Sequence, residues 1–266
     1  MYVTVFYTLI ISRVAAQNVD TLIFHSHAVR SVGGGVSALN YSLLSPLKHS
    51  GYSLGFLSVR FREKPEYITQ FKIHLEFGLL YNDANDSYIT SLGVNSGWLR
   101  HWHVGDSELP LRLLVGAGAD IGLNAYMKED NTNNPMAYFL NLSVSPGILL
   151  KYRFTVKKAR FDLGQQIEVP LGSLISSSDY SSSLPLGISE KEVNFIDAIR
   201  FVTFGSLKKC VTVTTVDITP FSQRRQRLPV FRINYTFSGM NYKNNDFTVN
   251  SAGHLIVFGA IFRLFR

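Results

Sequence analysis

Residues 108–124, ELPLRLLVGAGADIGLN, alternate between apolar residues and polar or small residues. Every odd-numbered position from Leu109 to Leu123 is apolar, whereas the even-numbered positions carry arginine, aspartate, asparagine, proline and glycine with a single leucine. Successive side chains of a β-strand point to opposite faces, so this period of two predicts one strand longer than the usual ~5–6 residues. An apolar face opposite a charged, glycine-rich face is typical of a strand between lipid and a polar lumen.

The same period recurs along the chain, with apolar odd positions in residues 71–81 and apolar even positions in residues 136–156. Pro146 falls inside the second run without changing its phase, so we expect one long strand with a bulge. Ten strands follow Gly51, and twelve result if the N-terminal segment also pairs and the run around Pro146 splits. The sequence therefore predicts an all-β fold, a transmembrane up-and-down antiparallel β-barrel of about 10–12 strands, because bacterial barrels have even strand numbers.

The composition excludes several other classes of protein. The 266 residues are 46% hydrophobic and 17% charged, yet the only long apolar run, residues 2–11, lies at the N-terminus. No other segment approaches the ~18 apolar residues of a membrane helix, so a membrane-spanning form has to be a closed barrel. A soluble β-sandwich or lipocalin-like barrel is the alternative. Cys210 is the single cysteine, which excludes an internal disulfide and a multi-cysteine metal site.

The chain divides into three parts. Residues 1–16, MYVTVFYTLIISRVAA, resemble a signal peptide that is cleaved after Ala16, although no lysine or arginine precedes the apolar run; a buried first strand is the alternative. Residues 17–51 contain three consecutive glycines and a proline without a clean period, and we expect a linker or a piece folded into the barrel mouth as a plug. Residues 52–266 form the barrel, in which the serine-rich loop 173–194 is a candidate lid or plug.

Aromatic residues gather toward the predicted strand ends, where transmembrane barrels carry interfacial girdles. Tyrosine and tryptophan suit this level because an apolar ring carries a polar group. The candidates for two such girdles are Tyr81, Tyr88, Trp98, Trp102, Tyr126, Tyr138, Tyr152, Tyr235 and Tyr242.

Charged residues recur on the faces opposite to the apolar ones and are predicted to line the lumen. In a narrow barrel they would pair across strands, because unpaired charges away from water are costly. A charged constriction that selects small solutes is the alternative, and the basic excess would then favour anions. The predicted ladder consists of Arg60, Arg62, Lys72, His74, Glu76, Arg112, Asp120, Lys151, Arg153, Asp162, Glu168 and Arg232.

Several strings occur in an order and spacing that make the chain similar to a known family. They are LSPL at residues 44–47 with SG at 50–51, NNP at 133–135, and VPLG at 169–172. Together they resemble an uncharacterised family of outer-membrane β-barrel proteins from Bacteroidetes. The resemblance implies a barrel in the outer membrane of a Gram-negative bacterium and supplies no activity. The chain ends on Arg266 after Phe265, whereas such barrels commonly finish on the aromatic residue itself.

Motifs for catalysis or ligand binding are weak. His101 and His103 share one strand face, but no third ligand is near in sequence, so neither a metal nor a cofactor is expected. His74 could pair with a serine on an adjacent strand, yet no motif selects a serine, and parity points His74 into the lumen. The glycine clusters precede no helix and do not form a phosphate loop.

The formal charge of +7 is spread along the chain, and its densest cluster, Arg224, Arg225 and Arg227, is short. Headgroup phosphates suit that cluster better than nucleic acid does. The expected partners are outer-membrane lipids, the barrel-assembly machinery and small solutes, and we expect a monomer that binds no nucleic acid.

We therefore expect a non-enzymatic outer-membrane barrel with a narrow charged lumen, either a passive small-solute channel or a structural or binding protein of the envelope. A lipid-modifying, phospholipase-like barrel enzyme is one alternative. A surface adhesin or scaffold acting through loop 173–194 is the other.

Overall fold

The computed structural model describes residues 26–106, 109–128, 136–157, 159–177, 199–220, 230–244 and 247–263. These residues form a single antiparallel sheet that closes on itself. The described part of the chain has no helix long and apolar enough to cross a membrane. The strands are β1 (Ser26–Tyr41), β2 (His49–Glu63), β3 (Tyr67–Asn82), β4 (Ser87–Val104), β5 (Leu111–Met127), β6 (Met136–Val156), β7 (Ala159–Glu168), β8 (Gly172–Ser177), β9 (Arg200–Thr203), β10 (Leu207–Pro220), β11 (Val230–Lys243) and β12 (Thr248–Arg263).

The twelve strands occupy ten positions in the wall of the barrel. β7 and β8 together occupy one position, and β9 and β10 together occupy another. Strands β7 and β8 pair with successive parts of β6, and β10 and β9 pair with β7 and β8 in turn. β1 pairs with both β2 and β12, which closes the sheet. The prediction of an antiparallel barrel is confirmed. Strand β6 runs through Pro146 unbroken for 21 residues, as the constant phase predicts, but its pairing with β5 has no bulge, because Pro146 pairs with Ala117 in a constant register.

The register determines the tilt of the wall. Following paired residues from Ile148 on β6 once around the barrel returns to β6 at Met136, a displacement of 12 residues. With a rise of ~3.3 Å and a strand spacing of ~4.8 Å, this shear tilts the ten strands by about 40° from the barrel axis. Transmembrane barrels have strand tilts in this range.

The two faces of the wall differ as residues 108–124 predict. Leu111 and Leu113 are 53% and 41% exposed on the outside, whereas Arg112 and Leu114 between them are 5% and 0% exposed in the lumen. Large apolar side chains are exposed on the outside of most strands. An apolar outer surface of this extent requires an apolar solvent, and lipid supplies one.

The connections differ between the two ends of the barrel. At the end where β1 begins and β12 finishes, here the terminal end, the connections are residues 64–66, 105–110, 157–158 and 221–229. At the opposite end, here the loop end, they are residues 42–48, 83–86, 128–135, 178–199 and 244–247.

The N-terminal segment differs from the expectation of a linker or plug piece. Residues 26–41 are a full wall strand, and the connection 42–48 folds into the barrel mouth, whereas residues 17–25 lie outside the described part of the chain. The three glycines that suggested a break lie inside β1, where an added Cβ on Gly33 or Gly35 would lie 2.0 and 1.9 Å from carbonyl oxygens of β12. Glycine therefore permits a close approach of two strands at this point.

Two other predicted segments fall largely outside the described residues. The proposed signal peptide, residues 1–16, lies entirely outside them. Of the proposed loop 173–194, residues 173–177 belong to β8, which differs from the expectation, and residues 178–194 lie outside the described part.

Candidate functional site

An apolar cluster fills the lumen at the loop end and is here called the plug. Its members come from most wall strands and from the connection 42–48, and its centre is aromatic. The ring of Tyr41 lies 5.7 Å from that of Tyr126 and 5.8 Å from that of Phe247, and Tyr242 lies 5.5 Å from Phe139. The buried members are Leu39, Tyr41, Leu43, Leu44, Leu80, Ile89, Tyr126, Ala137, Phe139, Ile175, Leu207, Tyr242, Phe247 and Val249.

Hydrogen bonds fix the connection that carries two plug residues. The amides of Leu44 and Ser45 both donate to the carbonyl of Tyr41 at 2.9 Å. The Ser42 hydroxyl accepts a hydrogen bond from the amide of Thr248 at 2.9 Å, and the Ser42 amide donates to the Thr248 carbonyl at 3.0 Å. The connection is thus bonded to its own strand and to β12, so Leu43 and Leu44 are held inside the mouth.

Beneath the plug the lumen becomes polar and contains a partly open cavity of about 260 Å³, whose lining extends from Tyr126 at the plug to Phe61 and Arg232 toward the terminal end. Lys209 on β10 reaches across to Asp120 on β5, with 3.0 Å between Nζ and Oδ2. The amide of Asn141 donates to the same carboxylate oxygen at 3.3 Å. On another part of the wall, the Ser37 hydroxyl donates to Glu76 at 3.0 Å. Each of these polar groups finds its partner within the lumen.

The middle of the lumen is spanned by contacts between β3 and β7, which lie on facing walls. Lys72 Nζ lies 2.6 and 2.8 Å from the two carboxylate oxygens of Glu168. Gln70 donates to Gln166 at 3.2 Å, and Gln166 donates to Glu168 at 2.7 Å. Because side chains of facing walls touch directly, the lumen is narrow at this level.

A second apolar cluster follows toward the terminal end, and charged groups lie beyond it. The cluster contains Val29, Val59, Phe61, Ile68, Leu114 and Leu149. The Arg232 guanidinium lies 4.6 Å from the Phe61 ring centroid and pairs with Asp217 at 2.5 Å. Glu63 accepts from Lys151 at 3.4 Å and lies 3.7 Å from Arg112.

Ten members of the predicted lumen ladder face inward, and two do not. The inward members are Lys72, His74, Glu76, Arg112, Asp120, Lys151, Arg153, Asp162, Glu168 and Arg232. Arg60 and Arg62 are exposed on the outer wall, so their placement in the lumen is wrong. Strand β2 does alternate, but Val59 and Phe61 turn inward to build the second apolar cluster, which sends the arginines outward.

Sequence reasoning missed four charged residues of the lumen, namely Glu63, Arg160, Lys209 and Asp217. With them, the described inward-facing side chains comprise seven cations and six anions. The basic excess that would favour anions is therefore reduced to one charge. The cations are Lys72, Arg112, Lys151, Arg153, Arg160, Lys209 and Arg232, and the anions are Glu63, Glu76, Asp120, Asp162, Glu168 and Asp217.

Two of the nine girdle candidates are placed wrongly by sequence. Tyr126 and Tyr242 are 7% and 2% exposed within the plug, because the lumen at the loop end is filled with apolar groups. The other seven face outward. Tyr81, Tyr88 and Tyr138 lie toward the loop end, Trp98, Trp102 and Tyr152 lie toward the terminal end, and Tyr235 lies between these levels.

The histidines do not assemble a metal site among the residues that the structure describes. His101 is fully buried in the lumen, and His103 lies on the same face. His74 also faces the lumen, where its Nε2 is buried without a hydrogen-bond partner. His254 faces outward, and its Nδ1 lies 2.7 Å from the Tyr235 hydroxyl.

Comparisons with known proteins agree with a membrane barrel. A family model described as "Protein of unknown function (DUF3316)" matches residues 2–266. No curated protein matches the chain. The solved structure of the outer membrane protease OmpT from Escherichia coli aligns with a TM-score of 0.55 at 9% identity, covering 93% of this chain and 100% of OmpT.

Two further solved barrels align less well. The β domain of the Bordetella autotransporter BrkA has a TM-score of 0.44 at 9% identity, with 91% of this chain and 100% of that domain covered. The COG4313 outer membrane channel from Pseudomonas putida F1 has a TM-score of 0.32 at 9% identity, with 94% of this chain and 100% of the channel covered. The likeness to OmpT shows a shared fold and carries no information about activity.

Proposed function

The chain belongs to the DUF3316 family of proteins of unknown function, and we propose that it is an outer-membrane β-barrel with a closed lumen. In this proposal it serves as a structural or binding protein of the envelope and not as an open diffusion channel. The proposal combines the barrel fold, which is shared with outer-membrane proteins, with the filling of the lumen.

The plug is the observation that carries the proposal. Tyr41, Phe139 and Leu207 are at most 1% exposed, although they come from different parts of the wall and meet at the centre of the mouth. A water-filled pore would leave such side chains in contact with water. Apolar constrictions also exclude water and ions beyond their steric width, which makes conduction through this mouth unfavourable.

The ion pairs below the plug support the same function. In a selective pore, charged side chains are available to interact with the passing ion. Lys72 is instead engaged by both oxygens of Glu168, and Lys209 is engaged by Asp120. The cations that would attract an anionic solute are thus neutralised by carboxylates of the same lumen. These pairs therefore support a structural role for the charged side chains of the lumen in place of a role in permeation.

The barrel would then present its connections to the two sides of the membrane. Longer loops of outer-membrane barrels face the cell exterior, and short turns face the periplasm. We assign the loop end to the exterior, because it carries the longest connection, residues 178–199. Export by the N-terminal signal, a Bacteroidetes origin and partner binding through loop 173–194 stay predictions under this assignment.

One observation bears on the alternative that the barrel is a lipid-hydrolysing enzyme. A lipid-hydrolysing barrel would need a serine and a histidine that face lipid on neighbouring strands. His254 does face outward, but its described neighbours at that level are Phe237 on β11 and Val36 on β1, and its ring is bonded to Tyr235. The likeness to a protease is one of fold alone, so it does not revive this alternative.

Single-channel recording in planar bilayers tests the proposal. The refolded wild-type protein should give no steady conductance, whereas a Leu43→Ser, Leu44→Ser, Phe247→Ser variant should conduct, because it replaces three plug residues by small polar ones. An Arg112→Ala, Lys151→Ala variant, which leaves the plug intact, serves as the control and should stay silent. Each protein is first shown to be folded by its heat-dependent gel mobility. Steady wild-type current would overturn the proposal.

A further inference from the structure

Four arginines cluster on the outer wall at the terminal end and are here called the arginine patch. They are Arg30 on β1, Arg60 and Arg62 on β2, and Arg100 on β4. The pairing of the strands places these arginines close to one another. Arg62 pairs with Thr69 of β3, and Thr69 pairs with Arg100. Two strand spacings therefore separate Arg62 from Arg100, or about 10 Å. Arg60 pairs with Ala28, two residues from Arg30.

The arginine patch has no counter-charge within the described residues. None of its four members lies within ion-pair distance of a carboxylate there. Glu63, the next residue along β2, faces the lumen and is engaged by Lys151 and Arg112. Like charges on neighbouring positions of one sheet face destabilise each other, so the patch needs an anion from outside the described wall.

One member also has an unsatisfied donor. The Nε of Arg100 is buried and has no hydrogen-bond partner, although the rest of the guanidinium is held in place. Its central carbon lies 4.6 Å from the centroid of the Tyr67 ring and 5.2 Å from that of the Trp98 ring. The side chain is therefore oriented before any ligand arrives, which lowers the entropic cost of binding.

The neighbouring residues place the arginine patch at the level of lipid headgroups. Tyr67, Trp98 and Trp102 surround Arg100 on the outer wall, and tryptophan and tyrosine mark the membrane–water interface. Farther along the strands the outer face becomes apolar, with Phe56 and Leu75 each 40% exposed. The guanidinium groups thus lie where the phosphates of a lipid leaflet lie.

Among the residues that the structure describes, the outward-facing arginines of the terminal end lie on one side of the barrel. On β5 and β6, the outer face toward the same end carries Leu113, Val115, Ile148 and Leu150. A ring of basic residues would indicate general anchoring to the membrane surface. The described cluster on β1, β2 and β4 brings four guanidinium groups near one another, as a localised anionic ligand requires.

We propose that the arginine patch binds the phosphate of an anionic glycerophospholipid, whose acyl chains lie along the apolar outer face of β2 and β3. Guanidinium groups form bidentate, charge-assisted hydrogen bonds with phosphate oxygens, and the exposed side chains of Arg30, Arg60 and Arg62 can supply such donors. The lipid supplies the negative charge that this part of the wall lacks.

The two tryptophans of the chain, Trp98 and Trp102, lie beside the arginine patch and provide a built-in reporter. The protein is reconstituted in phosphatidylcholine vesicles, and phosphatidylglycerol with brominated acyl chains is titrated in, so that bound lipid quenches tryptophan fluorescence. Brominated phosphatidylcholine provides the reference for non-selective contact. We expect the wild type to prefer phosphatidylglycerol by about 10- to 100-fold, given the usual contribution of each arginine near an anionic surface.

The test variant is Arg30→Gln, Arg60→Gln, Arg62→Gln, which leaves Arg100 stacked on Trp98. It should bind both lipids about equally. The control, Lys48→Gln, Lys208→Gln, Lys243→Gln, removes the same charge from exposed positions toward the loop end and should keep the wild-type preference. A wild type without preference, or a control that loses as much as the test variant, would overturn the proposal. Displacement of the brominated lipid by millimolar inorganic phosphate would also overturn it, because the occupant would then be a soluble phosphate.

Discussion

Replacing Lys72 by methionine should destabilise the barrel strongly, because Glu168 would remain in the lumen without its cation. The side chains of Glu168 and Lys72 are 5% and 22% exposed, and two contacts of 2.6 and 2.8 Å join them. Breaking a buried pair from one side costs about 3–5 kcal/mol. Glu168 keeps the hydrogen bond from Gln166, so we expect the lower part of this range, about 3 kcal/mol.

The double variant Lys72→Met, Glu168→Leu should regain most of this loss, since two apolar side chains then replace the pair and no charge is left alone. We expect its free energy of unfolding to lie within about 1 kcal/mol of the wild-type value. Urea unfolding in phospholipid vesicles, followed by tryptophan fluorescence, measures all variants. Lys208→Met, which removes an exposed outer lysine, is the control and should change little. A Lys72→Met protein as stable as the wild type, or a double variant as unstable as the single one, would show that an unpaired Glu168 is not costly in the lumen.

Three further substitutions test other parts of the wall by the same unfolding assay. Phe139→Ala should cost about 3–5 kcal/mol by leaving a cavity in the plug, and a loss below 1 kcal/mol would indicate a loosely packed mouth. Gly35→Ala should destabilise the protein by at least 1–3 kcal/mol, because the new Cβ would lie 1.9 Å from a carbonyl oxygen. Gly34→Ala should be tolerated, because the nearest atom to its Cβ would lie 3.4 Å away. Equal effects of the two substitutions would contradict the close approach of β1 and β12. Ile121→Arg, on the outer face of β5, should cost about 2–4 kcal/mol in a bilayer, whereas Leu111→Arg at the strand end should cost no more than about 1 kcal/mol.

The period of two in the sequence predicts the wall well where one face is wholly apolar. Strand β5 is the best case, because lipid accepts only its odd positions and its even positions carry charge and glycine. The same reasoning predicts the unbroken β6, since Pro146 faces outward and its missing amide proton does not interrupt the phase.

Alternation alone does not say which face is the lumen, and this ambiguity explains the wrong residues on β2. Its apolar positions Val59 and Phe61 fill the lumen, while Arg60 and Arg62 reach the headgroup level. On strand β10, too, apolar side chains face the lumen and polar side chains face outward. Val211 and Val213 line the cavity, whereas Thr214 faces outward and donates to Gln165 at 2.6 Å, so the two outer polar groups satisfy each other.

The plug could not be predicted from local sequence, because it is built from single residues of many strands. Tyr126 and Tyr242 look like girdle residues, since both are aromatic and lie near strand ends. Their even positions already share the inward face of Asp120 on β5 and Asn234 on β11, and the closure of the wall then brings them together with Phe139 and Phe247. Likewise, the sequence suggested that the three glycines of β1 interrupt a strand. The residues next to them in the sequence do not show that β12 approaches closely at this point.

Spin-label accessibility along β5 tests the central claim, that lipid surrounds the wall and side chains fill the lumen. Single cysteines replace residues 111–124, except Gly116 and Gly118, one at a time in a Cys210→Ser background, and collision rates with oxygen and with a water-soluble nickel complex are measured in vesicles. Odd positions such as Ile121 should be open to oxygen, and even positions within the apolar clusters, such as Leu114, should be closed to both reagents. High nickel accessibility at Leu114 would mean that water fills the lumen at the level of the second apolar cluster, which would contradict a closed lumen.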